Sequence, residues 1–322
     1  MTDLPIHILI YVLSFLGIWV GSGFIIKSVE KISSSLRISS FTISFLVLGA
    51  FTSVGELSVG ANSIMKGDAE IFVGNLIGAS MVLFLLIIPL LAIIGKSIHV
   101  SPDLQGFNLP ASLVTIALPA MMVLDGNVGR FDAILALILF SLLIISVQSK
   151  GKFLAVVEKT SEKKRLSMGK GLVRIFFGLA IIFIASRFAV EQTDYFANFL
   201  HVSPFLISLV VVSIGTNLPE LSLVVRSAFS RNHQIAFGDF VGSAAFNTFL
   251  FGFLTLIYNK PIILTNSFVI SLLFLVAGLL LFYHFARTKN TISRLEGLTL
   301  FLLYLAFLFT EYIIHAASLP KF

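Results

Sequence analysis

Long apolar runs, broken by short polar ones, fill nearly the whole chain. A membrane-spanning helix needs roughly 20 predominantly apolar residues, and the pattern predicts such segments over 6–26, 41–65, 70–94, 109–124 and 131–147. A charged stretch follows, with Lys163, Lys164 and Arg165 at its centre. Five more apolar segments are predicted over 171–190, 204–229, 234–258, 268–286 and 295–315. The expected fold is an all-α integral membrane protein of ten transmembrane helices. It divides into a first membrane repeat at 1–149, a linker at 150–170 and a second membrane repeat at 171–322.

Composition agrees with this class. The hydrophobic fraction is 57%, charged residues make up 12% and mean hydropathy is +1.02, where a soluble domain carries about 25% charge. The absence of cysteine removes disulfides, thiolate metal sites and cysteine nucleophiles. The first residues, Met-Thr-Asp-Leu-Pro-Ile-His, lack the basic region of a signal peptide, so the first apolar run is expected to be retained. The net charge of +6 could suggest nucleic acid, but the basic residues are distributed as a membrane protein distributes them. With an external N-terminus, only Lys66, Arg130, Arg187, Lys260 and Lys321 face outside, and the other 17 of 22 face inside. Positive charge favours the cytoplasmic side. Both termini are therefore expected outside, with the linker an ordinary basic cytoplasmic loop and the bilayer, rather than nucleic acid, the partner.

The halves repeat one another. Glu56 and Glu220 each follow about a dozen mostly apolar residues and a Thr-Ser or Thr-Asn pair, and each precedes Leu-Ser. Their separation of 164 residues also joins Asn75 to Asp239, and Arg130-Phe-Asp132 to Arg294-Leu-Glu296. One offset without insertions implies duplication. Because five is odd, the second copy must be inserted upside down. Inverted repeats are a transporter architecture, with substrate at the midplane where the copies meet. Two halves of opposite orientation can exchange roles between outward-open and inward-open states.

The chemistry lies in the buried acids. A charge at mid-bilayer costs about 2.5–3.5 kcal/mol on insertion scales. On its own helix Glu220 has Arg226 six residues on, about 9 Å along the axis, which is too far for contact. A proton or a bound cation is left to offset the cost. Thr52 and Ser53 lie four and three residues before Glu56, and Thr216 and Asn217 likewise before Glu220, so their oxygens share the carboxylate's helix face. Hard cations such as calcium take six to eight oxygen ligands. Pro219 frees a carbonyl one turn earlier, and Gly55 weakens the helix at the equivalent place. Glycines flank Asn75 (Gly74, Gly78) and Asp239 (Gly238, Gly242) and permit close helix approach. The candidate metal-ligating residues are Glu56, Glu220, Asp239, Asn75, Thr52, Ser53, Thr216 and Asn217.

These motifs resemble a known superfamily. Gly215-Thr-Asn-Leu-Pro-Glu220 with Gly238-Asp-Phe-Val-Gly-Ser243 is similar to the second alpha repeat of the calcium:cation antiporters, sodium/calcium exchanger branch. Thr52-Ser-Val-Gly-Glu56 with Gly74-Asn-Leu-Ile-Gly78 is similar to the first, and the resemblance runs the length of the chain. It implies a secondary antiporter of the prokaryotic inner membrane, acting as a monomer, with no enzymatic activity and no cofactor. Calcium and sodium, or protons, are its transported ions. It also implies a central calcium site at Glu56 and Glu220, Asn75 and Asp239 beside it, and oxygens from Thr52, Ser53 and Thr216. The sequence departs from that pattern where Gly55 replaces a proline. It departs again where Ile71 and Ile235 stand in place of the serines of sodium-coupled members. Weakened sodium coupling is expected, with protons as the alternative.

Two other classes fit less well. Phe237-Gly-Asp239 loosely matches an intramembrane aspartyl protease, whose chemistry needs two aspartates sharing a proton. No second mid-span aspartate exists. A channel favours a ring of like subunits, not an internal inverted duplication. The six histidines are scattered without metal-ligand spacing. Cysteine reporters at Lys163 and Lys321 should label from opposite sides of the membrane. Labelling from the same side would contradict an odd number of spans between them.

Overall fold

Water is absent from the hydrocarbon core, so a spanning chain must satisfy its backbone hydrogen bonds internally, and apolar runs of this length become helices. The computed structural model describes residues 4–33, 44–150, 165–230, 233–264 and 268–318. The middle of the expected linker, with Lys163 and Lys164, lies outside the described residues, as do Phe41 and Lys321.

The helices are α1 (Leu4–Ser33), α2 (Gly49–Thr52), α3 (Val54–Lys66), α4 (Ala69–Val82), α5 (Ile88–Gly95), α6 (Asn108–Met122), α7 (Arg130–Lys150), α8 (Arg165–Leu200), α9 (Pro204–Ile207), α10 (Ser213–Thr216), α11 (Leu218–Ser230), α12 (His233–Tyr258), α13 (Val269–Lys289) and α14 (Arg294–Ser318). Wide π-helical turns precede α2 (Ser44–Leu48) and α10 (Ser208–Val212) and join α4 to α5 (Leu83–Ile87). Two short antiparallel pairs tie the connections. β1 (Ser97–His99) pairs with β4 (Thr291–Ser293), and β2 (Asn127–Val128) pairs with β3 (Ile262–Ile263).

The molecule is thus an all-helical membrane protein. Among the described residues seven helical segments are long and apolar enough to cross a bilayer, beside the shorter apolar segments Asn108–Met122 and Pro204–Thr216. Two of the seven, Ala69–Gly95 and Ala236–Tyr258, are 78% and 72% buried inside the protein, whereas the other five are 22–33% buried. The core is therefore α4–α5 against α12. The other long helices surround it, turning Leu16, Phe131, Phe176, Leu280 and Leu302 outward as apolar surface.

Two expectations need correction. The segments predicted at 41–65 and 204–229 are not single helices but break at Ser53 and Asn217. The segment predicted to end at Val190 runs on to Leu200. Charge density suggested the early end. The charges are accommodated because Arg187 Nε donates to Glu191 Oε1 at 3.1 Å, one turn on. Contacts with α1 hold the extension: the Tyr11 and Thr193 hydroxyls lie 2.8 Å apart, and His7 bonds to Gln192 and stacks on Tyr195.

Architecture recurs at the same 164-residue offset as sequence. The π turns Ser44–Leu48 and Ser208–Val212, the pair α2 and α10, and the pair α3 and α11 match residue for residue, whereas the π turn Leu83–Ile87 has no counterpart in the continuous α12. Contacts between the halves match as well. A Cβ added at Gly78 would lie 2.1 Å from the Leu209 carbonyl oxygen, and one added at Gly242 would lie 2.3 Å from that of Phe45. Backbone meets backbone at both crossings, and no side-chain rotation can relieve the clash. Gly78→Ala and Gly242→Ala should each destabilise the detergent-purified protein by about 1–3 kcal/mol or more, as overpacking does. A thermal melt unchanged from wild type in both would contradict these crossings.

Candidate cation site

The site is built where helices stop. At Ser53 (φ −73°, ψ 10°) and Asn217 (φ −90°, ψ 14°) the backbone leaves helical geometry for one residue and then resumes. Gly55 weakens the helix beside the first break. Pro219 lacks an N–H and cannot close the preceding turn of the second. Each break turns a hydroxyl or amide pair inward with a glutamate three or four residues on, and α4 and α12 supply Asn75 and Asp239 from the core.

All eight predicted residues come to one buried region. Thr52, Glu220, Asn75, Asp239, Thr216 and Asn217 have no solvent exposure, and Ser53 and Glu56 have at most 2%. The hydrogen bonds run between the halves. Thr52 Oγ1 donates to Asp239 Oδ1 at 3.1 Å, and at the equivalent place Thr216 Oγ1 donates to Asn75 Oδ1 at 3.3 Å. Asn217 Nδ2 donates to Glu56 Oε1 at 3.4 Å. Glu56 and Glu220 lie near enough to repel one another, with Thr216 facing Glu56 and Thr52 and Ser243 facing Glu220.

Several acceptors and donors have no partner within hydrogen-bond geometry: Glu56 Oε2, both oxygens of Glu220, Asn75 Nδ2 and Asn217 Oδ1. A buried carboxylate oxygen left unbonded is expensive. Among the described residues the ion pairs are Lys66–Asp194 and Arg187–Glu191, neither at this site. No three His, Asp or Glu side chains converge among the described residues. A cation held here must therefore take neutral oxygens as well as carboxylates.

The sequence reading passed over Ser243, which is buried one helical turn beyond Asp239 on α12. Its hydroxyl lies 2.7 Å from Thr52 Oγ1 and 3.1 Å from Ser53 Oγ, and donates to the Gly49 carbonyl at 3.1 Å. The i, i+4 spacing from Asp239 could have found it. The duplication hid it, because the equivalent position is Ala79. Ile71 is fully buried on α4, one turn before Asn75, and offers no oxygen there; the side chain of Ile235 lies outside the described residues.

Comparison with known proteins adds independent findings. The family model described as sodium/calcium exchanger protein matches residues 6–147 and 170–313. The inner membrane protein YrbG of Escherichia coli K12 is 25% identical, over 71% of this chain and 74% of that protein. The sodium/calcium exchanger MaX1 of Methanosarcina acetivorans is 23% identical, over 95% and 98%. The solved structure of the sodium-calcium exchanger NCX_Mj soaked with sodium and strontium superposes with a TM-score of 0.67. It is 25% identical and covers 98% of this chain and 99% of its own.

Proposed function

The chain belongs to the sodium/calcium exchanger protein family and is a calcium:cation antiporter rather than an enzyme, and from that premise we propose that Glu56 and Glu220 together hold the calcium ion. One observation carries this: two carboxylates face each other in the protein interior, three of their four oxygens have no hydrogen-bond partner, and no basic group offsets them among the described residues. A divalent cation between them neutralises both and uses those oxygens. Thr52, Thr216, Asn75 and Asp239 border the same space, with Ser53 and Asn217 at the helix breaks, and their oxygens supply the rest of the shell that a hard cation requires.

The counter-ion is monovalent. The relatives MaX1 and NCX_Mj are named for sodium and calcium, and sodium is the first assignment here. Ile71 favours a second reading, proton exchange, because no side-chain oxygen stands at that turn of α4 and a proton needs no coordination shell.

Ten crossings in two inverted repeats (1–149 and 171–322, joined by the cytoplasmic linker 150–170) form the architecture we assign. The strand pairs support it by parity. With ten crossings, β1 follows the third and β4 the ninth, so both lie on one face. β2 follows the fourth and β3 the eighth, so both lie on the other. If only the seven longest segments crossed, β2 and β3 would lie on opposite faces and could not pair as they do. The equivalent bonds Leu264 N to Gly126 O and Val100 N to Asn290 O, 164 residues apart, fit a two-fold relation. Alternating access then follows as an exchange of roles between halves. The distribution of basic residues supports an assignment of both termini to the outside of a prokaryotic inner membrane, and one chain contains the whole proposed site, so a monomer suffices.

Glu56→Gln and Glu220→Gln each remove one of two charges while keeping shape. In proteoliposomes each should weaken calcium affinity by roughly a hundredfold, about 3 kcal/mol, and abolish saturable calcium-45 uptake. Wild-type uptake by either variant would remove the carboxylate pair from the mechanism.

A further inference from the structure

A crevice opens sideways from the surface of α1 toward the second helix break. Its walls are α1, α8 and the stretch from the π turn Ser208–Val212 through α10, and it encloses a cavity of about 410 Å³. Small-ligand sites occupy about 300–1,000 Å³. Almost no polar atom lines this one. The Tyr11 hydroxyl, the one polar side-chain group on its wall, lies 2.8 Å from the Thr193 hydroxyl and is satisfied there. The rim carries Ile8, Val12 and Leu16 of α1 with Val211 opposite, each 38–49% exposed.

The floor is aromatic. Tyr11 lies 4.7 Å from Phe15 and 5.3 Å from Phe196, ring centre to ring centre. Phe15 rests on Gly215, where a Cβ would come within 2.1 Å of its Cδ1. Gly215 directly precedes Thr216 and the break at Asn217, so the crevice ends one residue from the candidate cation site. In the first half the residue equivalent to Gly215 is Phe51, which packs against a buried cluster with Ile18, Ile71 and Ile182. A ring stands there where the second half has none.

What fills the crevice follows from its surroundings. It is continuous with the outward apolar face of α1, a spanning helix whose Leu9, Leu13 and Val20 are also exposed, so bilayer hydrocarbon is what reaches it. Water needs about two to four polar partners to stay in a cavity and finds almost none here. Left empty, an apolar space forfeits the dispersion contacts of its lining. From Ile8 to Leu16 the groove runs about 12 Å along α1, against about 15 Å for half of a hydrocarbon core about 30 Å thick. One extended hydrocarbon chain matches that length and that lining.

We propose that this crevice binds one acyl chain of a membrane lipid, from the leaflet on the side of the α1 N-terminus, and that the chain lies on Tyr11, Phe15 and Phe196. The inference goes beyond the antiporter reading and does not depend on which ions are exchanged. The chain backs Phe15 against Gly215, so a lipid becomes part of the wall behind the second break.

Tryptophan quenching by brominated phosphatidylcholine, in proteoliposomes of the full chain, tests this. Trp19 is the only tryptophan, so Trp19→Phe gives a silent background in which Phe196→Trp sets a reporter on the floor. Leu302→Trp, on the open surface of α14, is the control. Brominated chains should quench the floor reporter although residue 196 is half-buried. Its loss of fluorescence should follow the brominated fraction as a single lipid site does, whereas the control responds to several neighbouring chains. Aqueous iodide should leave the floor reporter unquenched. Val12→Phe with Val211→Phe, which fills the rim, should remove most of the lipid quenching at Phe196→Trp and leave that at Leu302→Trp intact. Quenching by iodide means a water-filled crevice, and quenching by neither agent means a crevice closed by protein. Either result would overturn the proposal, as would lipid quenching that survives the filled rim. Monodisperse elution in detergent checks folding. If the rim variant fails that check, the single-site dependence at Phe196→Trp decides, and a dependence on several lipids there refutes the site.

Discussion

The structure is arranged around two carboxylates buried beside each other in the protein interior. Glu56 and Glu220 are buried, face one another and have no basic partner among the described residues. A lysine or arginine would normally neutralise such a pair, and among the described residues none is paired with it. A site of this kind is stable only when something positive comes and goes, which is the property a carrier needs and a structural core avoids. The helix breaks follow from the same constraint. The breaks at Ser53 and Asn217 set hydroxyl and amide side chains beside the carboxylates.

Holding such a site requires rigid surroundings. The α4–α5 and α12 segments form the buried centre of the molecule, and glycines let the broken helices lie directly on their backbones at Gly78 and Gly242. The outer ring is different in character, with α1 lying along α8 and apolar side chains turned outward. Cross-pairing of β1 with β4 and of β2 with β3 ties each half to the other at both ends. A tightly packed centre between tied ends keeps these side chains in register.

Much of this was legible in the residues. Apolar run lengths gave the helices, and the 164-residue offset relates the breaks, π turns and strand pairs as closely as it relates Glu56 to Glu220. Spacing brought all eight candidate side chains to one region, because i, i+3 and i, i+4 neighbours share a helix face and the duplication supplies the partner face. The misses have physical causes. The end of α8 was placed ten residues early because the acidic Glu191 and Asp194 follow directly on Val190. In the structure Arg187 pairs with Glu191 one turn on, and Asp194 reaches Lys66. Ser243 was missed because symmetry was used as the detector, and Ser243 is where the symmetry fails. The strand pairs join residues well over 100 positions apart, and strands of two or three residues leave no periodic signal.

The central claim is that a divalent cation sits between the two glutamates. The most direct measurement is an anomalous difference map from crystals of this protein soaked in calcium or strontium. The account predicts one strong peak bounded by Glu56 and Glu220, with Thr52 and Thr216 beside it, that disappears in Glu56→Gln. A peak elsewhere in the protein, or none between the carboxylates while calcium-45 flux remains saturable, would contradict it.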